Sequence, residues 1–256
     1  MYSEAFTWGK STQLVMRRLW HLVPKPLRLY CYRILSALGR YLYGSEGGAV
    51  RQLPFGLYSK SCRCPGRNEA VALQLVEKYT SVPAPIWIDD YEENGHTTLI
   101  MTQVRGAPLN QVIDRLSYQE LEQLSASLKT AIHQIRRIPN QTSFRFANTL
   151  GGPLYDHRLE TSTSTIPYLS HPYRSFFSHA DLNSRNILIS RGRLAGIVDW
   201  ECAGFFPEYW EYTKAIYGII SNRESLESII RHAFDEDYEE ELKVERVLWN
   251  ASTFML

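Results

Sequence analysis

Apolar residues recur at two different spacings along this chain, and the spacing changes near residue 105. Before that point, short apolar runs are separated by turn residues. "AVRQLPFGLYSK" (49–60) predicts a strand pair bent at Pro54 and Gly56 and ending on Lys60. "NEAVALQLVEKYT" (68–80) carries apolar residues at helical spacing and predicts one helix. "SVPAPIWIDDYEENGHTTLIMTQVRG" predicts two strands around a polar turn, "DDYEENGH". After residue 105 the pattern becomes helical. "SYQELEQLSASLKTAIHQIRRI" (117–138) opens with Ser117 three residues before Glu120, a capping box, and its stripe runs Leu121, Leu124, Leu128, Ile132, Ile135. The exception is "NILIS" and "LAGIVDW", two short strands joined by a tight turn at "RGR" (191–193).

The first 44 residues follow a third pattern. "LVMRRLWHLV" and "LRLYCYRILSALGRYLY" are apolar, aromatic and basic, and predict two helices broken at Pro24 and Pro26. They lack a clean polar face, so they are expected to pack on the body of the protein rather than on a membrane. The expected division is a helical extension at 1–44, a sheet-rich unit with one helix at 45–104, and a mainly helical unit at 105–256.

Composition narrows the class. An apolar fraction of 44%, a charged fraction of 21% and a formal charge of +1 are those of a globular chain with no global field toward nucleic acid. No run of 18 apolar residues and no signal-peptide pattern is present. The four cysteines are irregularly placed, which suits a reducing, cytoplasmic compartment. Cys62-x-Cys64 has no second pair at zinc spacing.

The chemistry sits at the ends of the two short strands. His179, Asp181, Asn186 and Asp199 flank runs that would otherwise exclude polar groups, because burying such groups unpaired is costly. A loop carboxylate such as Asp181 can take a proton from a hydroxyl. The amide oxygen of Asn186 and the carboxylate of Asp199 are hard donors suited to Mg²⁺, and the hairpin turns them toward each other. A base beside a metal pair is equipment for phosphoryl transfer.

The spacing H-x-D-x-x-x-x-N followed by an aspartate also matches a kinase catalytic loop. "HADLNSRNIL", "IVDWE" and "PEYWEY" together resemble the aminoglycoside phosphotransferase and choline kinase superfamily of small-molecule kinases, most closely its fungal branch. The resemblance implies an α+β, two-lobed protein-kinase-like fold, with a small antiparallel-sheet N-lobe and a mainly helical C-lobe. It implies ATP and Mg²⁺ as cofactors, Asp181 as catalytic base and His179 as a brace for the loop. Asn186 and Asp199 become metal ligands, and Glu201 a nearby contact. Lys60 and Glu69 are expected to hold the ATP phosphates, and the backbone of Gln103 and Val104 to meet adenine. Glu208, Tyr209, Trp210 and Glu211 stand where a small-molecule acceptor would bind, and the acidic run "FDEDYEEEL" (234–242) suits an amine. Ala180 replaces the arginine of protein kinases, and the short path from Asp199 to "PEYWEY" leaves no activation segment. "YGSEGGAV" departs from the G-x-G-x-x-G phosphate loop, which keeps a kinase-like, non-catalytic nucleotide-binding or scaffold protein as the alternative. The acceptor's identity and the oligomeric state stay open.

Overall fold

A computed structural model describes residues 10–44, 48–62, 66–93, 95–156, 173–217, 219 and 224–253. Cys64, Gly47 and the segment 157–172 therefore lie outside the described residues, as do the zinc and glycine-loop readings that fall on them. Contacts divide the chain into two units: residues up to 67 with 86–103, and residues 68–85 with 104 onward.

The first unit is a four-stranded antiparallel sheet with helices α1 (Lys10–His21) and α2 (Lys25–Tyr43). Its strands are β1 (Val50–Leu53), β2 (Leu57–Cys62), β3 (Trp87–Glu93) and β4 (His96–Thr102), in the order β1-β2-β4-β3. The chain breaks once between the helices. Pro24 caps α2 and Pro26 sits in its first turn, where a missing N–H costs nothing. Tyr32, Leu53 and Ile100 form the core, with Trp20, Leu35 and Ile88 packed around them. Gly39 lets α2 approach β1 closely, because a Cβ there would stand 2.3 Å from the Gln52 carbonyl oxygen. The helices expected as an extension thus share a core with the sheet. The turn expected over "DDYEENGH" is shorter than its polarity suggests. Asp89 lies within β3 and is buried, accepting from the Tyr32 hydroxyl at 3.0 Å and pairing with Arg28 at 3.2 Å.

The second unit holds helix α3 (Asn68–Tyr79) and the elements after residue 103. One three-stranded sheet joins β5 (Ala107–Pro108), β8 (Ile187–Ser190) and β9 (Arg193–Ile197). The other joins β6 (Ala147–Asn148), β10 (Gly204–Pro207) and β7 (Ser175–Ser178). Helices α4 (Leu109–Val112), α5 (Tyr118–Arg136), α6 (Trp210–Tyr217), α7 (Glu224–His232) and α8 (Glu239–Thr253) complete it. The capping box stands at the start of α5: the Ser117 hydroxyl accepts from the Glu120 N–H, and the Glu120 carboxylate accepts from the Ser117 N–H. Leu124, Leu128, Ile132 and Ile135 of α5 are buried. The β8–β9 hairpin turns on Arg191 (φ 50°) and Gly192 (φ 71°), the two left-handed residues a tight primed turn requires.

Candidate active site

The hairpin places the chemistry-bearing residues at one end. Ile187 pairs with Ile197, and beyond that pair the Val198 N–H donates to the Asn186 carbonyl at 2.9 Å. Asn186, just before β8, and Asp199, just after β9, are therefore held at the same edge. Asp199 is left-handed (φ 69°, ψ 61°) and starts a short helical turn over Trp200–Cys202.

Asp181 is fixed from several sides. Its Oδ2 accepts from the Asn186 side-chain amide at 3.0 Å and from the Asn183 side-chain amide at 3.1 Å. The Asn186 amide also donates to the Asp181 carbonyl at 2.8 Å, so its oxygen is the atom it can offer a cation. Oδ1 of Asp181 lies 4.0 Å from the Lys214 ammonium. Lys214 is itself buried and bound to the buried Asp156 at 2.6 Å.

His179 is fully buried behind the loop. Its Nδ1 accepts the Asp181 N–H at 3.2 Å, so its Nε2 carries the proton and donates to the Val198 carbonyl at 2.9 Å. The Trp200 ring meets it edge-on at 4.6 Å. Between His179 and Asp181, Ala180 is left-handed (φ 61°), an uncommon state for a residue with a Cβ. Glu211 holds that turn: its Oε2 accepts the N–H groups of His179 (2.5 Å) and Ala180 (3.2 Å). Its Oε1 is buried with no hydrogen-bond partner among the described residues. Burial pushes this carboxyl above the ordinary range, against the pull of His179 and the two N–H groups.

Glu69, Asp199 and Glu201 each present an oxygen, all within 4.8 Å of one another. Glu69 also accepts the Trp200 N–H at 3.2 Å. The sequence reading coupled Glu69 to Lys60; within its own unit Glu69 belongs to this carboxylate group. Asn68 ties the group together. Its side-chain amide donates to the carbonyls of Glu201 and Ala203, both at 2.8 Å, and its oxygen accepts from Thr149. Three carboxylates and the Asn186 amide oxygen are hard donors, a set that fits Mg²⁺.

The other expected residues are distributed as follows. Lys60 is buried on β2, in the first unit, opposite Leu99 of β4. The Gln103 N–H donates to the Gly56 carbonyl at 2.8 Å, which leaves its carbonyl as the group able to meet a base. The two units part between Gln103 and Val104. Trp210 and Tyr209 are buried, with Trp210 stacked on Phe206 at 5.2 Å, so packing accounts for Trp210. Glu208 is bound by the Arg174 guanidinium at 2.6 Å. Of the acidic run, Glu240 and Glu241 join Glu245, Tyr173 and Tyr209 around a cavity of about 120 Å³.

Sequence reasoning missed Asn68, Asp156, Lys214 and the task of Glu211. A signal existed for two of them: Glu211 and Lys214 interrupt an otherwise apolar and aromatic helix, "WEYTKAIY". Asn68 and Asp156 carried none, because their partners are remote in sequence.

No curated protein matches the chain. Its fold is similar to that of a thermostable mutant of aminoglycoside phosphotransferase APH(4)-Ia in its apo form, with a TM-score of 0.56 at 18% identity over 81% of this chain and 84% of that one. It is similar also to APH(2")-IIa in its streptomycin–ATP ternary complex, with a TM-score of 0.59 at 14% identity over 80% and 81%. The gentamicin complex of APH(2")-IIa gives 0.59 at 14% identity over 85% and 87%. The α+β, kinase-like architecture is common to all of them. Residues 63–245 match the profile of the phosphotransferase enzyme family, and the chain belongs to that family.

Proposed function

We propose that the protein transfers the γ-phosphoryl group of ATP to a hydroxyl of a small molecule. The observation that carries this reading is the fixation of Asp181. It is gripped by Asn183 and Asn186, backed by His179, and set at the hairpin edge that also carries Asp199. In the proposed mechanism Asp181 orients the acceptor hydroxyl and accepts its proton as the oxygen attacks. His179 and Glu211 keep the loop in the shape that presents Asp181. Asn186 and Asp199 would hold Mg²⁺, with Glu201 and Glu69 beside them. When bound, that ion neutralises charge on the transferring phosphates. Lys60 would contact the α- and β-phosphates, and the backbone at Gln103 and Val104 the adenine. The related structure of APH(4)-Ia with ADP and hygromycin B, and that of APH(2")-IIa with streptomycin and ATP, support an adenine nucleotide and a small polar acceptor. The carboxylates and tyrosine rings around the Tyr173–Glu241 cavity support an acceptor with a cationic group.

The test begins with thermal shift and calorimetry of the purified chain with ATP, with and without Mg²⁺. Stabilisation that requires Mg²⁺ is expected, and Asp199→Ala should remove it. Incubation with Mg²⁺-ATP and a metabolite extract should then yield a species heavier by one phosphoryl group. Binding without any transfer would favour the non-catalytic reading, which the departure of "YGSEGGAV" from a phosphate loop also favours. An absence of Mg²⁺-ATP binding would overturn both.

A further inference from the structure

Helix α2 has two apolar faces, and among the described residues only one of them is covered. At 3.6 residues per turn, Tyr32, Leu35 and Gly39 share the face that packs on the sheet. Leu27, Tyr30, Ile34, Leu38 and Tyr41 form a second stripe on another side of the helix, and all five are exposed, Tyr41 at 86%. Helix α1 adds Val15, Met16 and Leu19, with Leu22 just past its end at 79% exposure. Single exposed apolar residues need no explanation, but a periodic stripe along about four turns does.

The charge around the stripe says what covers it. From Ala5 to Ser45 the chain has seven Lys and Arg residues and no Asp or Glu. Arg28 and Arg33 pair with Asp89 and Glu93 of β3. Arg18, Lys25 and Arg40 are exposed. Arg33 and Arg40 fall between the two apolar faces of α2. A second copy docked along this stripe would set basic residues against basic residues, with no acid in either helix to offset them. A negatively charged apolar surface has the opposite property on both counts. Exposed tyrosines beside aliphatic side chains also suit a boundary between hydrocarbon and water.

We propose that the α1–α2 face binds the surface of an anionic phospholipid bilayer. The helices lie on it rather than across it, since no described helix is long and apolar enough to span a membrane. The sequence alone pointed away from a membrane because the helices lack a polar face. The structure supplies the reason they need none: the side that would be polar in a free interfacial helix is occupied by the sheet.

The test is co-sedimentation of the full chain with vesicles of phosphatidylcholine alone, and with phosphatidylcholine and phosphatidylserine at roughly 7:3. Binding to the anionic vesicles only, weakened by added salt, is expected. The pair Ile34→Glu and Leu38→Glu should lower the bound fraction by about tenfold or more, through lost apolar burial and added negative charge. Arg18→Glu with Arg40→Glu should do the same by charge alone. Both pairs are exposed, so the thermal midpoint should stay close to that of the unaltered chain, which separates lost binding from lost folding. No sedimentation with anionic vesicles at low salt would overturn the proposal. So would equal binding to neutral vesicles, or a dimer in sedimentation velocity that Ile34→Glu abolishes, which would give the stripe to a second copy.

Discussion

Lys214→Met tests how the candidate site is held together. The ammonium of Lys214 and the carboxylate of Asp156 stand 2.6 Å apart with side chains 5% and 3% exposed. Removing one partner of such a pair leaves the other charge in a poorly solvated place, which costs about 3–5 kcal/mol. For a chain of this size, with a urea dependence of about 2–3 kcal/mol per M, the midpoint should fall by about 1–2.5 M. Lys214→Met combined with Asp156→Asn removes the stranded charge and should recover at least half of the loss. Urea unfolding followed by tryptophan fluorescence measures all three proteins. The ammonium also stands 4.0 Å from Oδ1 of Asp181, so turnover by the single variant should fall more than Mg²⁺-ATP affinity. A loss below about 1 kcal/mol for the single variant, with additive effects in the double one, would refute the picture of a desolvated, coupled pair.

Three further outcomes are expected. Asp181→Asn should retain folding and Mg²⁺-ATP binding while turnover falls by about 10²–10⁴-fold, and unchanged turnover in a steady-state assay would remove Asp181 from the chemistry. Asn68→Ala strands the buried Ala203 carbonyl and the half-buried Glu201 carbonyl and Thr149 N–H, and should cost about 2–4 kcal/mol in denaturant unfolding; it should also weaken Mg²⁺ binding measured by calorimetry, because Glu201 loses its anchor. Burial raises the Glu211 carboxyl in the folded state, so the folded protein holds that proton more tightly than the unfolded chain does. Stability should therefore decline as pH rises from the ordinary carboxylate range through the raised value. Glu211→Gln, which keeps an acceptor for both N–H groups, should lose this decline, and parallel stability–pH curves for the two proteins would contradict the assignment.

What could be read in advance was local. The capping box of α5 needs only Ser117 and Glu120, and the β8–β9 hairpin needs only its turn residues and two apolar runs. The loop from His179 to Asn186 is also short enough to be read as a unit. What could not be read depends on distant partners. Asp89 looked like turn material because its polarity is visible and Tyr32, which hydrogen-bonds it from 57 positions earlier, is not. Glu69 was expected beside Lys60 from chain order; that its carboxylate also stands with Asp199 and Glu201, some 130 residues later, was not legible. Glu211 was placed toward an acceptor, yet it is buried and bonded to the backbone beside the proposed base. The N-terminal helices were expected to pack on the body, and Trp20 and Tyr32 do share a core with the sheet.

The anchoring of α3 bears on regulation. Many kinases are switched off by swinging a helix so that its glutamate leaves the site. Here Asn68, the first residue of α3, donates to the carbonyls of Glu201 and Ala203, and Glu69 accepts the Trp200 N–H. The helix cannot swing without breaking three hydrogen bonds, two of them buried, to the very segment that carries Asp199. On the proposed function, switching by this route would be costly, and output would be set by substrate supply. Hydrogen exchange gives a direct check: the amides of α3 and of residues 199–203 should open together, as one cooperative unit.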